Sequence, residues 1–265
     1  TFASRILGFI RDMVMASLFG ATAAADAFYV AFRVPSLLRE LFAEGSMSAA
    51  FIPVFTEYHQ QKTKREAWEL ASAVFTTLLT IVTGTVLIGI AVTPVIVWYL
   101  APGFHNDPAK LTLAVVLSRV MFPYLLFISL AALAMGILNS LRAFAAPAFS
   151  PLFLNVFMIG CALFLSPQLP EPIIGVAIGV VAGGAAQFAM QLPGLARRGF
   201  LFGWRFDPGH PGVRRIGRLM VPSLLGLSVT QINLTVSTIL ASFFVGGPTY
   251  LFYGMRLIQF PLGIF

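Results

Sequence analysis

The chain has 265 residues, 58% of them hydrophobic and only 10% charged, with a mean hydropathy of +0.89. That balance excludes a soluble globular domain and indicates a polytopic membrane protein. The net charge of +7 does not signal nucleic acid, because basic residues outside the apolar segments cluster in the loops between them; the single cysteine, Cys161, lies in an apolar run and excludes a disulfide framework or a cysteine-based metal site.

Apolar length and helix breakers divide the chain into eight predicted spans, at 1–20, 26–57, 68–101, 110–140, 147–166, 171–196, 214–245 and 249–265. At ~1.5 Å per residue, the roughly 32 residues of the second span reach ~48 Å against a ~30 Å hydrocarbon core, so the second and third spans must tilt, bend or project into water. Pro35, Pro53 and Pro94 supply bends there, and Pro123, Pro222 and Pro261 do so later, each by deleting a backbone hydrogen bond. Thr1 is not a start methionine and Phe265 falls inside an apolar run, so the chain reads as a fragment.

Loop charge predicts the orientation. Lys62, Lys64 and Arg65 follow span two, Arg142 follows span four, and Arg197, Arg198, Arg205, Arg214, Arg215 and Arg218 lie in or beside the loop after span six. The alternate loops hold no basic residue, with Lys110 at one edge. The positive-inside rule then places the even-numbered loops and the N-terminus in the cytoplasm. The longest of these loops interleaves arginine with aromatics and reads as an interfacial segment on anionic lipid, joining two helical lobes. His59, His105 and His210 are in loops with no partner at ligand spacing, and His210 is expected to be solvated.

An internal repeat supports two lobes. Ala16-Ser17-Leu18-Phe19-Gly20 is echoed by Ala241-Ser242-Phe243-Phe244-Val245, and Phe28-Tyr29 with Arg33 and Pro35 by Phe252-Tyr253 with Arg256 and Pro261. Six helices then make one repeat, an organisation typical of alternating-access transporters.

The chemistry lies in arginines inside these spans: Arg5, Arg11, Arg33, Arg39, Arg119 and Arg256. A guanidinium cannot neutralise itself, and each costs roughly 2.5–3.5 kcal/mol at a helix centre facing lipid, so these residues must snorkel, pair with acids or line a wet cavity. Snorkelling or static pairing is expected for Arg33 and Arg119, and for Arg142 in its loop. Arg5, Arg11, Arg39 and Arg256 outnumber the acids within reach, which predicts a cavity that attracts an anion. Arg5 and Asp12 share a helix face two turns apart, and Arg33, Glu40 and Glu44 form one stripe.

The runs SRILGFIRDMVMASLFGA, ADAFYVAFRVPSLLRELFAEGSMSAAFIPVF, FPYLLFISLAALAMGILNS and FYGMRLIQFPLG resemble the MurJ (MviN) family, the lipid II flippases of bacterial peptidoglycan synthesis. The resemblance covers the whole chain and implies an all-α, two-lobe transporter bundle of the multidrug/oligosaccharidyl-lipid/polysaccharide exporter superfamily. The chain would hold the first six-helix lobe (1–196), a cytoplasmic interfacial linker (197–213) and the start of the second lobe (214–265), with helix seven and part of helix eight. The family's substrate-binding arginines fall on Arg5, Arg11, Arg39 and Arg256, and its supporting or gating acids on Asp12, Asp26 and Glu44. Glu40 departs from a second arginine that some members carry after the position of Arg39.

The implied function is non-enzymatic translocation of lipid II, a polyprenyl-pyrophosphate glycolipid, from the cytoplasmic to the outer leaflet of the bacterial inner membrane. Planar arginine forks suit its pyrophosphate. No cofactor, bound metal or nucleic acid is expected; the partners are lipid II and membrane lipids, and the expected state is a monomer. The rivals are an exporter of drugs or other lipid-linked oligosaccharides, and a polyprenyl-pyrophosphate enzyme. The enzyme would need clustered acids for Mg²⁺, and no DDxxD-like run is present.

Overall fold

The computed structural model describes residues 2–40, 47–200 and 202–262, which form eleven α-helices joined by turns, with no strand among the described residues. They are α1 (Phe2–Phe19), α2 (Ala23–Arg39), α3 (Met47–Gln61), α4 (Lys64–Leu100), α5 (Pro108–Met121), α6 (Tyr124–Ser140), α7 (Ala145–Gly160), α8 (Pro172–Ala189), α9 (Leu192–Ala196), α10 (Pro211–Ala241) and α11 (Gly247–Leu262).

Helix starts follow local chemistry. Thr63 and Glu66 close a reciprocal capping box on α4, with the Thr63 N–H donating to Glu66 at 2.9 Å and the Glu66 N–H donating to the Thr63 hydroxyl at 3.3 Å. Asp107 caps α5 ahead of Pro108, accepting from the Lys110 N–H at 3.0 Å. His210, partly exposed, also caps α10: its Nδ1 accepts from the Gly212 N–H at 3.1 Å, ahead of Pro211.

Several predicted spans are subdivided. The overlong second span becomes α2 and α3. The fourth breaks between α5 and α6 at Phe122 and Pro123, where proline has no N–H to continue the ladder. The third stays one helix of 37 residues with Pro94 inside it. Five helical segments are long and apolar enough to cross a membrane: 64–100, 108–140, 145–168, 172–196 and 211–241. Predicted spans one, two and eight are not among them. Their helices are shorter, and they carry the arginines and acids of the cavity described below.

Helices α7 and α8 approach closely along a glycine seam. A Cβ added at Gly183 would come within 2.8 Å of the Leu154 Cα, and one at Gly179 within 3.0 Å of the Phe157 carbonyl oxygen. Small residues that allow backbones to touch are the usual means of tight helix packing in lipid, where burial of apolar surface drives little. Three apolar clusters fill the bundle among the described residues, the smallest being Val82, Val86, Phe122 and Leu125. Of the two larger ones, one gathers Phe28, Leu117, Met121, Tyr124 and Val176 from α2, α5, α6 and α8. The other gathers Phe51, Phe55, Leu70, Leu133, Ile137 and Phe200 from α3, α4, α6 and the loop after α9.

Left-handed glycines sit in both the α1–α2 and α10–α11 turns, Gly20 (φ 56°) directly after α1 and Gly246 (φ 73°) directly before α11. The repeated aromatic pairs also pack on one another: Tyr29 stacks on Phe252 with ring centroids 4.3 Å apart and meets Tyr253 edge-on at 5.6 Å.

Candidate functional site

A cavity of about 450 Å³ is lined by Arg5 and Arg11 from α1, Arg39 from α2 and Arg256 from α11. These are the four arginines singled out from the sequence. Facing them are Ser150 and Asn155 of α7, Gln187 of α8, and Gln191 just after α8, with Ile128, Ala131 and Met135 of α6 supplying apolar wall. The cavity thus has a cationic side and a neutral polar side.

Asp12 organises the cations. Its Oδ1 accepts from Arg11 Nε at 2.9 Å and Nη2 at 2.6 Å, while its Oδ2 accepts from Arg256 Nε at 2.7 Å. The Arg11 and Asp12 side chains are each only 7% exposed, against 37% for Arg256. The remaining terminal nitrogen of Arg11, Nη1, donates to Asn155 Oδ1 at 3.1 Å, and Asn155 Nδ2 in turn donates to the Ser4 and Pro151 carbonyls, both at 3.4 Å. Arg11 is therefore held rigidly, whereas Arg256 is tethered through one nitrogen. Arg5 and Asp12 share a face of α1 but do not pair. Asp12 turns toward Arg11 and Arg256, and Arg5 is exposed at the cavity with no acidic partner among the described residues.

Arg39 lies 3.8 Å from Glu40. Glu40 also accepts a hydrogen bond from the Gln231 amide, whose oxygen accepts from Arg33 Nη2 at 3.4 Å. This chain of contacts joins α2 to α10. Arg119 is exposed and reaches the Ile90 carbonyl at 3.4 Å, and Arg142 is exposed in a left-handed conformation after α6 (φ 56°). Neither lines the cavity.

Asp26 is elsewhere. It is fully buried and accepts from Lys110 Nζ at 2.7 Å, from the Gly246 and Thr249 N–H groups at 2.9 and 3.2 Å, and from the Thr249 hydroxyl at 2.7 Å. One carboxylate thus ties α2, α5 and the first turn of α11 together, with its charge at the helix N-terminus where it is favoured. Nearby, the Gly103 N–H donates to the Ser242 hydroxyl at 3.1 Å. These contacts close the end of the bundle that carries the turns without basic residues. Between this closure and the cavity lie Phe28, Tyr29, Phe252 and Tyr253. Glu44 lies outside the described residues.

The basic loops collect at the opposite end. Arg215 pairs with Glu57 at 2.8 Å and Arg205 with Glu69 at 2.9 Å, which joins the segment after α9 and the start of α10 to α3 and α4. The neutral amides Asn155, Gln187, Gln191 and Gln231 did not stand out in the sequence. Their only signal there is a carboxamide within an otherwise apolar segment.

A family profile described as lipid II flippase MurJ matches residues 15–265. The whole chain aligns at 45% identity with a probable lipid II flippase MurJ of Vibrio cholerae and at 40% with the lipid II flippase MurJ of Burkholderia cenocepacia, covering 52% of each. A solved structure titled lipid II flippase MurJ, inward closed conformation, superposes with a TM-score of 0.84 at 29% identity, over 100% of this chain and 54% of that one. The chain spans about half the length of the curated relatives it matches. With the family profile running from residue 15, near the end of α1, to the last residue, the chain belongs to the MurJ lipid II flippase family.

Proposed function

We propose that this chain forms the first lobe, the linker and the beginning of the second lobe of a flippase that carries lipid II from the cytoplasmic to the outer leaflet of a bacterial inner membrane. The lobe boundaries are 1–196, 197–213 and 214–265, and the N-terminus is cytoplasmic. The observation that carries the reading is the convergence of Arg5, Arg11, Arg39 and Arg256 on one cavity. Asp12 answers two of these cations and Glu40 a third, so Arg5 and the outer nitrogens of Arg256 remain for an anion. Arginine forks bind phosphate oxygens in pairs, and a confined site strengthens each such bond. The amide-bearing wall suits a head group rich in hydroxyl and amide hydrogens.

Movement follows from where the bundle is held shut. In the conformation described, the Asp26 knot and the aromatic stack of Tyr29, Phe252 and Tyr253 bar the cavity from the end without basic loops. Outward release requires α11 to part from α2, which breaks both, while the Glu57–Arg215 contact holds the basic end together. Pyrophosphate on Arg256 competes with Asp12 for the same guanidinium, so cargo binding weakens the α1–α11 tie.

The test uses the full-length protein in vesicles containing head-group-labelled lipid II. Label should become accessible to an impermeant quencher from the opposite leaflet, faster than in protein-free vesicles and faster than for a labelled phosphatidylcholine. Equal rates for the two lipids would sink the reading.

A further inference from the structure

A second concavity shares no lining residue with the arginine cavity. It is a crevice of about 220 Å³ among α3, α4, α6 and α10, walled by Val74, Leu78 and Val82, Leu125, Ile216 and Met220. Its mouth lies between α4 and α10. Ile81 is 59% exposed there, and a Cβ added at Gly217 would meet no atom within 4 Å. Both helices are long and apolar enough to cross a membrane, and α10 is little covered by the described residues. The crevice is smaller than the roughly 300–1,000 Å³ of pockets that enclose whole small molecules, which suits a length of hydrocarbon chain and not a head group.

The rim supplies the other half. Arg214 and Arg218 are exposed, one helical turn apart, and flank Gly217 on α10. Neither makes an ion pair or a side-chain hydrogen bond among the described residues, whereas Arg215 between them is turned to Glu57 at 2.8 Å. An apolar slot edged by two uncompensated guanidiniums is complementary to an amphiphile with one negative head and an aliphatic tail.

We infer that this crevice holds one anionic phospholipid of the cytoplasmic leaflet, with an acyl chain between α4 and α10 and its phosphate on Arg214 and Arg218. A lipid in the crevice touches none of the cavity arginines, since the two concavities share no lining residue. The inference rests on the cytoplasmic placement of the α10 start, and not on what the arginine cavity carries.

Native mass spectrometry of the intact protein in detergent, with phosphatidylglycerol, phosphatidylcholine or a long-chain polyprenyl monophosphate added, tests it. Wild type should retain one phosphatidylglycerol in strong preference to phosphatidylcholine. Arg214→Ala with Arg218→Ala should erase that preference, at about fivefold in affinity for each arginine removed. Gly217→Leu, which puts bulk at the mouth where an added Cβ meets no atom within 4 Å, should weaken both phospholipids alike. Arg39→Ala should leave phospholipid retention unchanged, which separates this site from the cargo site. Unaltered phosphatidylglycerol retention in both crevice variants overturns the inference, and so does one-for-one displacement by the polyprenyl monophosphate, which would assign the crevice to the cargo's tail.

Discussion

Asp12 and Arg256 lie 244 residues apart in sequence and meet at 2.7 Å, on the same carboxylate that holds Arg11. This single acid fastens α11 to α1 across the boundary between the proposed lobes. Removing one partner of a buried ionic group leaves the other charges uncompensated, which costs about 3–5 kcal/mol. Asp12→Ala should therefore lower stability by that order, read as a fall in the thermal midpoint. Arg11→Ala combined with Asp12→Ala should lose much less than the sum of the two singles, because the contact is shared. Arg5→Ala combined with Asp12→Ala should be additive, since those two residues do not touch. Strong coupling between Arg5 and Asp12 would contradict the arrangement described.

Asp26 makes the second prediction. Asp26→Asn keeps the shape but leaves Lys110, whose side chain is only 10% exposed, without its counter-charge, and removes the anion at the start of α11. Stability should fall by about 3–5 kcal/mol, and the end of the bundle near Gly246 should open more often. Hydrogen exchange at the Gly246 and Thr249 amides reads this directly. Protection unchanged in the variant would remove Asp26 from the proposed closure.

The cavity arginines were legible because a permanent charge in an apolar segment demands an explanation, and their helices could be placed from span order alone. The repeat was legible as a pattern, but not its consequence: that Tyr29 would stack on Phe252 follows from how α2 and α11 pack, which no local spacing encodes. Which acid meets which arginine was not legible for the same reason. Arg5 and Asp12 share a face of α1, yet Arg256 arrives from another helix and takes the carboxylate. Helix subdivision was partly hidden as well. Pro94 continues α4, while Pro123 ends a helix, and the difference lies in the surrounding packing. The amides of Gln187 and Gln191 gave no signal beyond a polar residue in an apolar run.

Topology has its own test. The basic residues near Thr63 and Gly203 gather at one end of the bundle, and the short helix Pro102–Asn106 packs at the other. With the N-terminus in the cytoplasm, Thr63→Cys and Gly203→Cys in the full-length protein, with Cys161 replaced by Ser, should be shielded from an impermeant thiol reagent in cells with a permeabilised outer layer and an intact inner membrane. Asn106→Cys should react. Labelling at Gly203→Cys from outside would reverse the direction of export assigned here.

The remaining prediction separates an anion site from static charge pairing. If Arg39 and Arg256 hold pyrophosphate, alanine at either should reduce lipid II translocation at least tenfold while the protein still inserts at normal levels, since each lost charge-assisted bond to a phosphate removes about 1.5–3 kcal/mol. Lysine should fall between alanine and arginine, because it keeps the charge and loses the planar fork. Arg5→Ala should act in the same direction with little change in stability, because Arg5 is exposed and has no acid to leave behind among the described residues. Arg119→Ala and Arg142→Ala, outside the cavity, should translocate normally. Arg11→Ala should differ from all of these, losing stability as well as transport, because its guanidinium braces Asp12 and Asn155. Translocation at the wild-type rate with Arg39 and Arg256 both replaced by alanine would leave the cavity without a role in binding the anion.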